Sequence, residues 1–381
     1  ASDLGWESPE LVAGHVGSNL SLAGASVELD TYIDVRAGQL TVQSNVGSIL
    51  VDENALVDLS AYSVTHEENT LYSQNGSLNL ISQDAISLLS IDQLKFSEQA
   101  STGNAQLVMA AVGALDIGGS AAAVGMNQSG SAQNLVIQAG QIANDETLTA
   151  IEQLNHSGFD GGFSLQVNAQ DDFVFDRHII ADSFVIENNA GNLSIAGILQ
   201  ATGIEGNSVL SASAELELNA SSEVSVAHQS DLLDGLNLLS QHGSIKLSDG
   251  ATIDVPGALN VYLEASNSAL SESAIDVSAY DAQNGGVGDV NVYLRTNASP
   301  NSVDAQNKAS FELDLDAPAA SNIVSIAVDN ALTNKGAAEA IFGAISDKEM
   351  VVVRPHLDIA YDGDIDFSAF YEGSEAIFDL R

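Results

Sequence analysis

Three aspartates at alternate positions, Asp362, Asp364 and Asp366, form the sharpest chemical grouping in the sequence. On an extended strand alternate side chains share a face, so the three carboxylates would stand together and repel. Calcium takes several carboxylate and carbonyl oxygens and would relieve that repulsion, which makes it the one cofactor the sequence suggests. The plainer reading is three solvated acids on an outer face, with Ile365 and Phe367 pointing inward. Asp314 and Asp316 make a weaker pair of the same kind. Paired carboxylates also suit glycoside hydrolysis. Among 52 acidic residues, however, pairs at a workable separation arise by chance, so no catalytic residue is assigned. The seven histidines (His15, His66, His156, His178, His228, His242 and His356) are dispersed, with no two at metal-ligand spacing. There is no Gly-x-Ser-x-Gly elbow, phosphate loop or dinucleotide fingerprint. Tyr62, Tyr262, Tyr280 and Tyr293 could form a sugar-stacking strip, although aromatic ladders that merely cover a sheet are the commoner arrangement.

Whatever positions these groups is built from one repeated phrase: Gly, a residue, then two apolar residues separated by one. It reads Gly38-Gln-Leu40-Thr-Val42, Gly47-Ser-Ile49-Leu-Val51, Gly76-Ser-Leu78-Asn-Leu80 and Gly191-Asn-Leu193-Ser-Ile195. It returns at Gly243, Gly257, Gly288 and Gly363. A glycine turn followed by period-two alternation is a short strand with one buried face. Recurrence along nearly the whole chain predicts stacked coils, an all-β, right-handed, single-stranded parallel β-helix forming one elongated domain over residues 1–381. Leu193, Ile195, Ile245, Leu247, Ile253, Val255, Ile275, Val277, Val290 and Val292 are expected to face inward. Ile253 to Ile275 is a step of 22, and a coil of roughly 20–22 residues gives about 16–18 coils and a rod of about 80 Å. Residues 146–155 place Leu148, Ile151 and Leu154 three apart, which predicts a short helix leaving the stack. An irregular or partly helical insertion is expected at about 301–349, with helical spacing at 332–345.

The net charge of −42, from 52 acidic against 10 basic residues, argues against nucleic acid and against an anionic membrane surface. It disfavours polyanionic substrates and should keep rods from bundling side by side at low salt. Cysteine is absent, which removes disulfides, thiolate metal sites and a cysteine nucleophile. No apolar run is long enough to span a membrane. The chain starts Ala1-Ser2-Asp3, which suits a protein whose leader has been removed or an internal piece of a longer one. Neither end offers an obvious cap for open strand edges, so end-on continuation by the same chain or by a neighbouring subunit in a filament is expected.

Three segments resemble the filamentous-haemagglutinin-like exoproteins of bacterial two-partner secretion. Gly191-Asn-Leu-Ser-Ile-Ala-Gly-Ile-Leu-Gln-Ala-Thr-Gly203 looks like that family's recurrent coil. Ala274-Ile-Asp-Val-Ser-Ala279, Asn284-Gly-Gly286 and Asp289-Val-Asn-Val-Tyr-Leu294 resemble a second of its coils. Val353-Arg-Pro355, Leu357-Asp-Ile359 and Asp362-Gly-Asp-Ile-Asp-Phe367 resemble a third. The resemblance implies a right-handed β-helix, export through an outer-membrane partner, a place at the bacterial cell surface or beyond it, and adhesion to a host or neighbouring cell or its carbohydrate. The Asn-Pro-Asn motifs of that family's secretion domain do not occur in these residues. The expected function is therefore structural or adhesive, not enzymatic. The rival is a β-helical protein that binds or cleaves polysaccharide, disfavoured because the only arginines are Arg36, Arg177, Arg295, Arg354 and Arg381.

Overall fold

The computed structural model describes residues 17–66, 69–97, 105–119, 133–204, 207–227, 235–241, 245–248 and 250–255. Beyond these it gives the strands Thr252–Ala265, Ile275–Asp276, Val287–Thr296, Leu313–Asp314, Ile323–Asp329, Met350–Pro355 and Glu375–Phe378. The protein is mostly β, and its large sheets are parallel. The alternating phrases form strands because their apolar residues fall on one side. Leu40, Val42, Leu78, Leu80, Leu107, Met109, Leu135, Ile137, Leu165 and Ile186 are all fully buried.

One long sheet dominates. Its strands stack in chain order: Asn19–Gly24, Gln39–Ser44, Ser77–Ser82, Gln106–Ile117, Asn134–Ile142, Gly162–Val167, Ser183–Asn188, Ser208–Ala212 and Gly235–Ser240. Thr252–Ala265, Val287–Thr296, Ile323–Asp329, Met350–Pro355 and Glu375–Phe378 continue it, so the sheet is fourteen strands deep among the described residues. Between two visits to this sheet the chain runs along a second side and, in most passes, a third. The second side holds Val27–Leu29, Ile49–Val51 and Ile86–Leu88, and later Phe173–Phe175, Leu193–Ile195, Leu216–Leu218 and Ile245–Leu247. The third holds Tyr32–Asp34, Leu56–Asp58 and Leu94–Lys95, and later His178–Ala181, Ile198–Ala201 and Glu223–Val226.

Like residues stack on like residues. Leu20 pairs with Leu40, Leu40 with Leu78, and Leu78 with Leu107. At the end of the long strands a buried polar residue fastens the corner. Ser44 donates to the carbonyl of Ala25 (2.8 Å), Ser82 to that of Gly47 (2.9 Å) and Ser240 to that of Ala214 (2.6 Å). The repeated glycines serve close approach between passes rather than unusual dihedrals. A Cβ on Gly38 would lie 2.2 Å from the Ser18 carbonyl oxygen, and one on Gly76 would lie 2.8 Å from that of Gly38.

Several expectations change. Ile275 pairs with Ile245, not with Ile253, which lies on the third side against Val224. The passes are also unequal: the 20 residues from Leu20 to its partner Leu40 fit a coil of 20–22, whereas 38 separate Leu40 from Leu78. The helix exists, as Asp145–His156 with Asn144 accepting from the Thr147 amide at its N-terminus. It does not leave the stack: Leu148, Ala150, Ile151 and Leu154 belong to the core. Its apolar positions three and four apart give it an inward stripe that substitutes for a strand. Of the expected inward residues, Leu193, Ile195, Ile245, Ile253 and Val255 are buried. The side chains of Leu247, Ile275, Val290 and Val292, and all of Val277, lie outside the described residues. Two strands, Leu313–Asp314 and Ile323–Asp329, fall inside 301–349; the helical spacing at 332–345 lies outside the described residues.

Candidate functional site

The long sheet turns one face outward, and its middle column can be read through the register. It runs Ser21, Thr41, Asn79, Val108, Val136, Ser164, Val185, Val209 and Asn237. Asn260, Asn291, Ser325, Val352 and Ile377 continue the same register. No member is charged. The next column holds Gln43, Ile81, Ala110, Gln138, Gln166, Glu187, Ser211 and Leu239, with one charge. Gln138 Nε2 donates to Gln166 Oε1 at 3.0 Å, so the amides form a ladder. Burial pushes the Glu187 carboxyl above its ordinary value, against the lowering effect of a hydrogen bond from Gln166. The second side differs: its outward register runs Val174, Ser194, Glu217 and Lys246, and Asp276 and Asp314 follow these in register.

A second feature breaks the parallel order. Ser63–His66 and Asn69–Tyr72 form an antiparallel hairpin inserted between Leu56–Asp58 and Ser77–Ser82, and every one of its strand residues is exposed. Val64 pairs with Leu71, and Tyr62 flanks them on the same face by alternation. Val64 is 54 % exposed and Leu71 73 %. Tyr72 lies on the opposite face beside Thr65 and Thr70, whose hydroxyls bond at 3.0 Å. The hairpin's root is fixed by buried Asn75, whose Oδ1 accepts from the amides of Ala61 and Ser97, both at 2.9 Å.

Beside the hairpin the third side carries an ionic cluster. Asp34 and Asp58 are register partners, and Asp58 is partnered in turn by Lys95. Arg36 grips Asp34 with two bonds, Nε to Oδ1 at 3.0 Å and Nη2 to Oδ2 at 2.9 Å. Asp58 is 2 % exposed. Its Oδ2 accepts from Lys95 Nζ at 2.8 Å and from the Tyr32 hydroxyl at 3.3 Å, and its Oδ1 from the Ser60 amide and hydroxyl. Burial pushes this carboxyl up, but Lys95 and Ser60 together outweigh it and hold it below its ordinary 3.8. Burial and the two aspartates push the Tyr32 phenol up. The cluster neutralises two aligned carboxylates and locks three passes together.

Asp362, Asp364, Asp366 and Asp316 lie outside the described residues, as does Tyr280. Asp314 pairs with Asp276. Tyr262 and Tyr293 are register partners, in the column of Gln166 and Glu187, while Tyr62 stands apart at the hairpin root. Two histidines dispersed in sequence meet: the rings of His156, in the last turn of the helix, and His178 lie edge to face with centroids 5.2 Å apart. The backbone amide of His178 donates to Glu152 Oε1 at 3.0 Å. Arg177 links Asp145 to Asp176. Only the helix brings these groups together, and no spacing in the sequence announces it. Among the described residues no three His, Cys, Asp or Glu side chains are placed to hold a metal ion, and no helix is long and apolar enough to cross a membrane. No family model, curated protein or solved structure matches the chain.

Proposed function

We propose that the chain is a right-handed, single-stranded parallel β-helix with a structural or adhesive role outside a bacterial cell, in the manner of the filamentous-haemagglutinin-like exoproteins its coils resemble. One observation carries this reading: successive passes visit the same sides in the same order and pair in parallel with the passes before and after. Strands joined in parallel cross over right-handedly in nearly all proteins. Fourteen strands at about 4.8 Å give an axis of roughly 60 Å, shorter than the roughly 80 Å expected from uniform coils because many passes carry insertions. A rod of this kind acts by reach and by what its corners display. Here the displayed element is the hairpin, whose Tyr62, Val64 and Leu71 offer an apolar platform to carbohydrate on a host or neighbouring cell. Export by an outer-membrane partner and end-on continuation into a longer rod belong to the same reading.

Negative-stain imaging of the full chain should show particles at least about 60 Å long and, at six strand residues across, about 20 Å wide in the sheet plane. Equiaxed particles overturn the β-helix. Replacing residues 63–72 by a short Gly-Ser turn should reduce retention on glycan-coated surfaces about tenfold, a loss of about 1.4 kcal/mol. Unchanged retention overturns the assignment of the hairpin. Release of shortened products from a polysaccharide panel would make the protein a polysaccharide-cleaving β-helix instead.

A further inference from the structure

The distribution of charge over the sides is uneven in a way the structural reading does not require. The chain carries −42, yet the middle outward column of the long sheet has no charge from Ser21 to Asn237, and the column beside it has only Glu187. Acids stand in the turns and on the other sides instead: Asp30, Asp52, Glu53, Asp84, Asp171 and Asp172 sit between strands, Glu28 and Glu217 lie on the second side and Asp34 and Glu223 on the third. The neutral column is also partly aliphatic. Val108, Val136, Val185 and Val209 stand half-buried among Asn79 and Ser164.

We propose that this outward face of the long sheet is an interface with the same face of a second copy of the chain, two rods lying side by side. Charge selects the occupant. Two molecules of −42 repel over any approach that brings their turns together, whereas in the two columns described from Ser21 to Asn237 contact would strip water from one carboxylate, Glu187. Area permits it. The nine passes from Ser21 to Asn237 span about 38 Å at about 4.8 Å each, and six strand residues span about 20 Å, so each copy offers about 760 Å². A stable interface needs about 800 Å² per partner, and the register continues beyond Asn237. From Ser21 to Asn237 the face carries no aromatic ring on which a sugar would stack, which disfavours a glycan as the occupant of that stretch; Tyr262 and Tyr293 come only further along the neighbouring column.

Sedimentation of the full chain against salt tests it. At about 10 mM salt, where the screening length is about 30 Å, monomers should prevail; at about 0.5 M a dimer should form with at least a tenfold lower dissociation constant. The double variant Val136→Lys, Val185→Lys should remain monomeric at both salts. If net charge alone governed association, the same variant would associate more strongly, because it lowers the net charge. Ser194→Lys, on the second side, should dimerise like the parent. Should the double variant fail to fold, as judged by melting, Ser164→Lys tests the same column with a smaller change. Persistence of monomer at every salt, or dimerisation that survives lysine in this column, overturns the proposal.

Discussion

Leu165→Ala probes the stacking most directly. Leu165 is fully buried, and its register partners are Ile137 in the pass before and Ile186 in the pass after. The substitution removes three carbons, worth about 2.4 kcal/mol in transfer at about 0.8 kcal/mol each. A cavity is added to that loss. Ile137 and Ile186 ride on strands hydrogen-bonded to this one in parallel, so the gap cannot close by sliding one layer, and the total should reach about 4 kcal/mol. In a stacked array the defect should be felt mainly by nearest neighbours. Urea unfolding gives the magnitude, and amide exchange gives its location. Exchange should accelerate in the strands Asn134–Ile142, Gly162–Val167 and Ser183–Asn188. It should remain slow around Leu40 and Leu78. A loss below about 1 kcal/mol, or exchange accelerated equally in the distant passes, would refute the layered account.

Three further outcomes are expected. Asp58 ionises in the fold below its ordinary 3.8, so its stabilisation is complete above that value and is lost as pH falls through the lower folded value. Asp58→Asn should therefore flatten the acid limb of the melting-temperature profile; an unaltered limb counts against the cluster. Glu187 has a raised value, so its ionised form costs stability at neutral pH and the cost disappears as pH falls through the folded value. Glu187→Gln should raise the melting temperature at neutral pH and leave it unchanged in acid, and a drop at neutral pH would contradict this. Asn155 is buried and bonds the Phe159 carbonyl at 2.9 Å, the Ile180 carbonyl at 2.8 Å and the Ile180 amide at 2.9 Å. Asn155→Ala should cost about 2–4 kcal/mol in denaturant unfolding, and a loss under about 1 kcal/mol would mean the helix is not pinned by this side chain.

The long columns could be read from the sequence because period-two burial and the glycine that starts each strand are both local signals. Leu40, Leu78, Leu193 and Ile195 were placed by that pattern alone. The same phrase does not say which side of the stack it occupies. Gly38 and Gly76 begin strands of the long sheet, whereas Gly47 and Gly191 begin strands of the second side. That ambiguity is why Ile275 could be matched with Ile253 rather than with its partner Ile245. The aligned tyrosines were legible, since Tyr262 and Tyr293 sit in near-identical contexts. The hairpin was not, because its Val64 and Leu71 alternate like core strands yet face outward. Nor was the meeting of His156 with His178, which depends on a helix turning the chain across a corner.

The unequal passes have a practical meaning. Between Leu40 and Leu78 the chain accommodates a complete hairpin, yet both leucines keep their places in one column and Asn75 closes the root. Length is thus free at the corner while position is fixed in the sheet. A foreign peptide spliced between Ala61 and Gln74 would be carried at a defined height along the molecule, with its ends already held together. Several such grafts at the same corner of different passes would be separated by whole multiples of the strand spacing, so the ladder of parallel strands sets the interval between displayed peptides.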